Sequence, residues 1–595
     1  MATEFNPVTV DSVTLEVLRA GIPAVCDEMA VVLRRAAHNM FIYEIQDFSV
    51  AIVDPEGNLI GQNRGAIPFF LADLGPPIRN GVEEIGRDNF FPGDVILMNH
   101  PAICGQHLNN VIIYQPVFFE GRLVAFTVGR AHWLDIGGSK MGLGFSRTLD
   151  VFQEGLQFRN LKVYERGEPN KTLFRMIQDN LRRPDLALGD MRAQIAACRL
   201  GERRFLAILE RYGLETVQGA VNILADQGEE RARKSVGQIP DGVYEAESFL
   251  DNDGVDMDKT IPIKVRVIVE GTTMTIDFSE VGEQVKGPIN SGTGGLLTAR
   301  SAFKILTSPK DAANEGHFRP LKIILPPGKF ISAQPPAALG SWSIGLATVF
   351  DTILKALAPA LPDRIPAGHK ADQGDFGFYG IDPVTSKYWL CGNIRGGGHG
   401  GRPFEDGESA SVNMMQGDIT TAPVEAIEQK YPLFVESYSL IQDSGGAGKY
   451  RGGLGTEWVI RPYKVDHVVV NIGGDRLGCP PWGLWGGKSG LPNHYLLDLG
   501  DGKQPEVVTK RPGTKLPAKG WVALRGGGGG GWGDPLERET ERVLTDVIKG
   551  YVSLEKAKSE YGVVVDPASN TVDEPATLAL RQRLRQTGDS AKSAV

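Results

Sequence analysis

Glycine in the second half of the chain is the feature that most constrains how this sequence can fold. The 595 residues include 74 glycines, about 12% where roughly 7% is usual. They gather in short runs after residue 390, and the longest run spans 526–531. The runs have no three-residue period, which excludes a collagen helix. They predict tight turns and close backbone approaches in a β-rich region.

The length of the chain predicts several domains, because single hydrophobic cores rarely grow beyond about 250–300 residues. Hydrophobic residues make up 42% and charged residues 23%, which is typical of folded globular proteins. We expect an α+β, multidomain fold with a mixed N-terminal domain and a β-rich, glycine-rich C-terminal half. The predicted segments are 1–240 (α+β, with the candidate active site), 241–384 (α/β), 385–530 (β-rich, with glycine turns) and 531–595 (a helical tail).

The spacing of apolar residues predicts the order of helices and strands. Residues 11–40 have the helical pattern, with Asp11 or Ser12 as N-cap and a kink or break near Gly21 and Pro23. β-Branched runs bounded by turn residues predict strands at 48–53, 95–98, 111–119, 123–128, 261–269 and 273–278. Helices are expected at 168–235 (with breaks at 180, 184 and 189), 292–308, 345–358 and 534–561, and residues 566–595 are expected to be loosely ordered.

Charge and cysteine content exclude several classes of protein. The net charge of −9 leaves no basic surface for nucleic acid. Five widely spaced cysteines without a CxxC pair predict neither a zinc ribbon nor a disulfide framework. We find no signal peptide and no apolar stretch of about 18 residues, so we expect a cytoplasmic protein without a membrane span.

Three histidines near two predicted strands form the best candidate site. His100 and His107 precede the strand 111–119, and His132 follows the next one. Antiparallel strands of that length bring their outer ends together, which places His107 and His132 at one edge of a sheet. Imidazoles with a carboxylate, for which Asp47 is the candidate, bind divalent transition metals. Asp135 is a candidate to orient one of these rings.

Other interpretations of the same residues stay open. The histidines could hold turns together by hydrogen bonds, and Cys104 could be a nucleophilic thiol or a buried residue. The glycine run 526–531 could bind an anion before the following helix. It lacks the Lys-Ser/Thr of a P-loop, so we expect any ATP to bind to another subunit.

Several segments resemble the hydantoinase B/oxoprolinase family. Residues 106–111 with 116–118 resemble its GTHLPDV…PVF segment, and residues 132–138 resemble HHADIGG. Further matches keep the order of the family from about residue 10 to 565, among them 153–156, 189–194, 314–316, 443–453, 474–476, 526–535 and 561–563. The resemblance implies a heteromeric complex with a hydantoinase A-type subunit that binds ATP and Mg²⁺.

The resemblance also implies a metal site for Zn²⁺ or Mn²⁺. The family's ligands are a His and an Asp in HxxD, a His 25 positions after the first, and in some members an upstream Asp. His107, His132 and Asp47 match these positions, but Asn110 replaces the Asp of HxxD, and His100 replaces a family Asp. A neutral amide in place of a carboxylate weakens attraction for a cation.

The resemblance implies three functions that the sequence does not separate. The first is a biotin-independent, ATP-dependent ketone carboxylase similar to acetophenone carboxylase, with bicarbonate and a ketone as substrates and His107, His132, Asp47 and His100 as catalytic residues. The second is an ATP-dependent hydantoinase, oxoprolinase or lactamase subunit that needs a metal-activated water. The third is a scaffold that has lost its chemistry.

Overall fold

The computed structural model describes residues 10–71, 73–139, 141 and 145–592, and it has the predicted α+β, multidomain architecture. The helices are α1 (Ser12–Ala36), α2 (Met40–Tyr43), α3 (Gly75–Ile85), α4 (Pro101–Cys104), α5 (Lys171–Asn180), α6 (Pro184–Tyr212), α7 (Leu214–Val236), α8 (Gly294–Thr307), α9 (Leu346–Leu357), α10 (Val424–Lys430), α11 (Thr540–Ile548), α12 (Leu554–Ser559) and α13 (Glu574–Lys592). No helix in the described part of the chain combines the length and apolar character that crossing a bilayer requires.

The strands form four larger sheets and one small hairpin. They are β1 (Phe48–Val53), β2 (Leu59–Gln62), β3 (Val95–Met98), β4 (Asn110–Phe119), β5 (Arg122–His132), β6 (Leu161–Glu165), β7 (Glu168–Pro169), β8 (Gly242–Leu250), β9 (Ile261–Glu270), β10 (Thr273–Asp277), β11 (Leu321–Ile324), β12 (Asp375–Ile381), β13 (Tyr388–Ile394), β14 (Leu433–Leu440), β15 (Thr456–Pro462), β16 (His467–Gly473), β17 (His494–Asp498), β18 (Glu506–Val508), β19 (Lys510–Pro517), β20 (Trp521–Arg525), β21 (Val565–Asp566) and β22 (Thr571–Val572).

The N-terminal sheet has the order β2-β1-β5-β4-β3-β6-β7 and positions the candidate site. β4 and β5 form a hairpin whose turn, Glu120-Gly121, has φ of 50° and 76°, as the sequence pattern predicts. Asn110 pairs with His132, and Phe48 pairs with Ala131. The start of β4, the end of β5 and the start of β1 therefore meet at one edge of this sheet.

Both faces of the N-terminal sheet are buried, which explains the unbroken apolar run of β1. One face packs with α1, α6 and α7 in a core cluster that contains Val50 and Ile52. The other face, with Ala51 and Val53, belongs to a larger cluster that continues through the middle and C-terminal sheets. The sheet β11-β10-β9-β8 is covered by α8 and α9 within this cluster. The four segment boundaries stay a prediction.

The glycine runs of the C-terminal region bring backbones into direct contact, as predicted. Within 526–531, Gly529 N–H donates to Gly453 O at 2.9 Å, and Gly530 N–H donates to Gly368 O at 2.7 Å. A Cβ at Gly529 would lie 1.9 Å from His399 O. The run is thus a tightly packed structural crossing between the sheets β13-β12-β16-β19 and β14-β15-β20-β17-β18.

Three local predictions are wrong. α1 has no break near Gly21 and Pro23, because Ile22 and Pro23 are buried on the side of the helix that faces the core, and this packing offsets the missing N–H donor. α6 continues through Gly189, whose absent side chain makes room for the ring of His38. Residues 574–592 form α13, which is fixed by Arg581 Nε donating to Tyr561 O at 3.0 Å.

Candidate functional site

The end of the β4–β5 hairpin brings the two principal histidines together. The ring centroids of His107 and His132 lie 4.9 Å apart in an edge-to-face arrangement. The backbone N–H of His132 donates to Asp47 O at 3.2 Å, which places Asp47 beside the same strand end. The two histidines thus meet as the hairpin predicts, and Asp47 lies beside them.

A small cavity lies beside this cluster. The cavity has a volume of about 20 Å³, which is enough for about one water molecule. Asp47, His107 and Asn110 line it from the N-terminal sheet, and Gln373, Asp375 and Gln416 line it from the later half of the chain. Its apolar wall includes Phe41, Phe69, Phe70 and Trp342. The site is thus built by two distant parts of the sequence.

A buried network orients Asn110 so that its carbonyl oxygen is free. Gln106 Nε2 donates to Asp73 at 3.0 Å, so Gln106 Oε1 faces Asn110 and accepts from its Nδ2 at 2.8 Å. Arg130 pairs with Asp73 and also donates to Gln106 Oε1. Asn110 Oδ1 is consequently buried without a hydrogen-bond partner among the described residues. The amide that replaces a family carboxylate therefore presents an acceptor.

Burial keeps both imidazoles neutral. Desolvation lowers the pKa of His107 to about 4, although the backbone of Gly340 partly opposes this effect. Desolvation and the neighbouring His107 hold the pKa of His132 well below its usual value. Both ring nitrogens of His132 are buried without partners in the described part of the chain. Neutral rings with free lone pairs can accept protons or bind a cation.

Two carboxyl groups of the site have raised pKa values. Desolvation raises the pKa of Asp47 to about 7, and the positive charge of Arg130 limits that rise. Desolvation, with the charges of Asp372 and Asp47, raises the pKa of Asp375 to about 8. Groups that titrate near neutrality inside a cavity are typical of sites that transfer protons.

Sequence reasoning missed the contribution of the later half of the chain. Gln373 and Asp375 lie in a polar stretch, 369–375, directly before the buried strand β12. That density of polar residues beside an apolar strand is the signal that could have found them. Gln416 and Trp342 have no comparable signal, because only the packing of their loops brings them to the cavity.

Other predicted residues lie elsewhere. His100 is the N-cap residue before the short helix α4, near Glu84 and Arg159, and is not among the described residues that line the cavity. Asp135 accepts from Arg182 Nη1 at 2.9 Å, so its carboxylate is engaged away from the rings. Desolvation raises the pKa of the buried Cys104 thiol to about 12, which keeps it protonated and a poor nucleophile.

The donor chemistry of the site fits a divalent transition ion. His132 has two unpartnered ring nitrogens, and Asn110 has an unpartnered oxygen beside the half-buried Asp47. Within residues 10–71, 73–139, 141 and 145–592, however, no three His, Cys, Asp or Glu side chains are grouped closely enough to hold an ion. A metal at Asp47, His107, Asn110 and His132 stays a prediction.

A family model and a known protein both match this chain over most of its length. The family described as Hydantoinase B/oxoprolinase matches residues 11–535. A protein of Pseudomonas sp. strain NS671, provisionally named as one of the subunits of a D-/L-hydantoinase, is 35% identical over 96% of this chain and 98% of its own length.

Two solved structures share the fold. The ATP-dependent caprolactamase from Pseudomonas jessenii superposes with a TM-score of 0.88 at 28% identity, over 96% of this chain and 100% of its own. A nucleotide-free acetone carboxylase superposes with a TM-score of 0.87 at 18% identity, over 98% of this chain and 84% of its own. At that identity the second likeness concerns the fold alone.

Proposed function

Because the chain belongs to the hydantoinase B/oxoprolinase family, we propose that it is the subunit of an ATP-dependent cyclic amide hydrolase that completes ring opening. The observation that carries this proposal is the contact of two neutral imidazoles, the half-buried His107 and the buried His132, beside Asp47. Relatives named for hydantoin and caprolactam hydrolysis, at 35% and 28% identity, support a cyclic amide as substrate.

The proposed chemistry divides between two subunits. On an ATP-binding, hydantoinase A-type partner, the amide oxygen attacks the γ-phosphorus of ATP and ADP leaves, while the amide nitrogen keeps its hydrogen and carries the positive charge. In this chain, water adds to the activated carbon and the C–N bond breaks, which gives an amine and an acyl phosphate. A second water releases phosphate and leaves a carboxylate.

The residues of the site have distinct roles in that sequence. His107 or His132, each held in the unprotonated form by desolvation, accepts the proton of the attacking water. Asp47, whose pKa of about 7 lets it hold or release a proton, returns one to the departing nitrogen. A divalent ion would be held by His107, His132 and Asp47, with the Asn110 oxygen as a neutral donor, and when bound it supplies Lewis acidity to the attacking water.

The test uses the complex of this chain with its co-expressed ATP-binding partner. Hydantoin and caprolactam are supplied with ATP and Mg²⁺, without bicarbonate, and ring opening is measured with ADP release. We expect ADP and ring-opened product in equal amounts, and neither subunit alone should form product. Absence of ring opening with every cyclic amide would overturn the proposal.

A second candidate, an acetophenone carboxylase-like ketone carboxylase, is favoured by Asn110. Two reactants activated by phosphorylation need less help from a metal, so loss of a ligand carboxylate is better tolerated there. In that reaction the site would polarise the ketone enolate and bind bicarbonate-derived carboxyphosphate. ATP hydrolysis by the complex that requires both a ketone and bicarbonate would support this function over the first.

A further inference from the structure

Gln416 presents a free N–H donor to the cavity. Its Oε1 accepts from Asn413 Nδ2 at 2.7 Å, and Asn413 is fixed in turn by donating to Asp372 O at 2.9 Å. This anchoring decides which way the Gln416 amide points. Its Nε2 is left buried without a partner among the described residues, and the side chain is 0% exposed. A buried, unsatisfied donor that lines a cavity indicates an acceptor on whatever enters.

Asp375 presents a free acceptor to the same cavity. It is the first residue of β12, where its backbone pairs with Ile394 and Gly473 of the neighbouring strands, so its position is rigid. Its Oδ1 is buried without a partner in the part of the chain that the structure describes. The side chain is 6% exposed. Donor and acceptor thus line one cavity from a loop and from the start of a strand.

A larger groove adjoins this cavity. The groove has a volume of about 680 Å³, within the range of about 300–1,000 Å³ that is usual for small-molecule sites. Ile419 lines both the groove and the cavity, so the two spaces adjoin at this residue.

We propose that Gln416 and Asp375 recognise the –CO–NH– edge of a cyclic amide that enters past Ile419. This inference rests on the proposed hydrolase function. Gln416 Nε2 donates to the amide oxygen, and Asp375 Oδ1 accepts from the ring N–H. Ring closure holds oxygen and N–H on the same edge of a lactam or hydantoin, which matches one donor beside one acceptor. Phosphorylation of the oxygen leaves the N–H in place, so the pairing with Asp375 also serves the activated substrate.

Because Asp375 and Gln416 pair with different groups of the substrate, their substitution should change kcat/KM for caprolactam and N-methylcaprolactam in different ways. The wild-type complex should prefer caprolactam over N-methylcaprolactam by at least about 100-fold in kcat/KM, because methylation leaves a buried acceptor unpaired. Asp375→Ala should lower kcat/KM for caprolactam by about 10–100-fold and change the N-methyl substrate by less than about threefold. Gln416→Leu should lower kcat/KM for both substrates by about tenfold, since both keep the carbonyl.

Gln115→Leu is the matched control. Gln115 is also a buried glutamine, 2% exposed, but its Nε2 donates to Glu202 outside the cavity. Gln115→Leu should leave the ratio of kcat/KM between caprolactam and N-methylcaprolactam unchanged. Hydantoin and its derivative methylated at the opened amide replace the caprolactam pair if the complex prefers hydantoin.

The outcomes separate the two proposals. If the wild-type complex opens rings but Asp375→Ala keeps the wild-type preference, this inference is overturned, the proposed function stands, and the two side chains hold an internal water. If the wild-type complex opens no cyclic amide, both fail. Asp375→Leu, which has a similar shape and also removes the acceptor, replaces Asp375→Ala should the latter not give the wild-type circular dichroism spectrum.

Discussion

At the scale of single residues, removal of the His132 side chain tests whether this chain is catalytic or serves only as a scaffold. It is 1% exposed, and both ring nitrogens lack partners among the described residues, so the fold does not use them. We expect His132→Ala to lower ring-opening activity of the complex by about 10²–10⁴-fold, the usual size of an acid–base contribution. Gel filtration should show an unchanged complex.

The control for this substitution is His467→Ala, which removes an exposed histidine of β16. It should leave the rate unchanged. Equal rates for wild type and His132→Ala would instead indicate that this chain only supports the ATP-binding partner.

The proposed metal site depends on the charge of the side chain at position 110. Its Nδ2 is committed to Gln106, so only a neutral oxygen faces the site. Asn110→Asp should raise the content of Zn²⁺ or Mn²⁺ per purified complex, because it adds a negative charge beside two neutral imidazoles. His107→Ala should lower the metal content. Elemental analysis measures both, independently of activity, and a metal content that neither substitution changes would contradict a site at these residues.

Asp375 makes stability depend on pH. Its folded-state pKa of about 8 lies above the usual 3.8, so folding favours the protonated form. The stabilisation this gives is complete at pH values below the usual pKa and is lost as pH rises towards 8. We expect Asp375→Asn, which does not titrate, to raise the unfolding temperature more at pH 8 than at pH 5. An equal increase at both values would show that the carboxyl is ionised in the folded protein.

At the scale of structural elements, the glycine run and the first helix respond oppositely to the same substitution. Gly529→Ala places a Cβ 1.9 Å from His399 O, and we expect a loss of about 3 kcal/mol or more in the free energy of unfolding. Gly21→Ala, inside α1, meets no atom within 4 Å and should add about 0.5–1 kcal/mol.

Thermal unfolding of the two variants checks this pair. Equal effects of the two substitutions would mean that the run 526–531 is a flexible loop and not a packed crossing of backbones.

At the scale of the whole molecule, one hydrophobic cluster joins the halves that build the site. It extends from Met40 to Leu524. A protease site inserted at Val384, which is 89% exposed in the turn between β12 and β13, should allow cleavage without separation of the fragments. The two pieces should co-elute in native gel filtration and part only in denaturant. Separation under native conditions would show that the shared cluster contributes little to holding them together.

The sequence determined the features that depend on neighbouring residues. The turn at Glu120-Gly121 and the lengths of β4 and β5 were enough to place His107 beside His132, because strand pairing propagates from the turn. The glycine runs predicted close backbone contact for the same local reason. Pro23 misled the prediction because burial of its helix face outweighs one missing hydrogen bond.

The tertiary structure decided everything that depends on distant residues. Asp375 and Gln416 follow His107 by more than 260 positions in the sequence, and only burial of the shared core brings them to its cavity. The direction of the Asn110 amide depends on Asp73 and Gln106, through hydrogen bonds that no local pattern encodes. Local periodicity fixes the ends of strands, whereas the choice of partners across a core follows from packing and from satisfying buried polar groups.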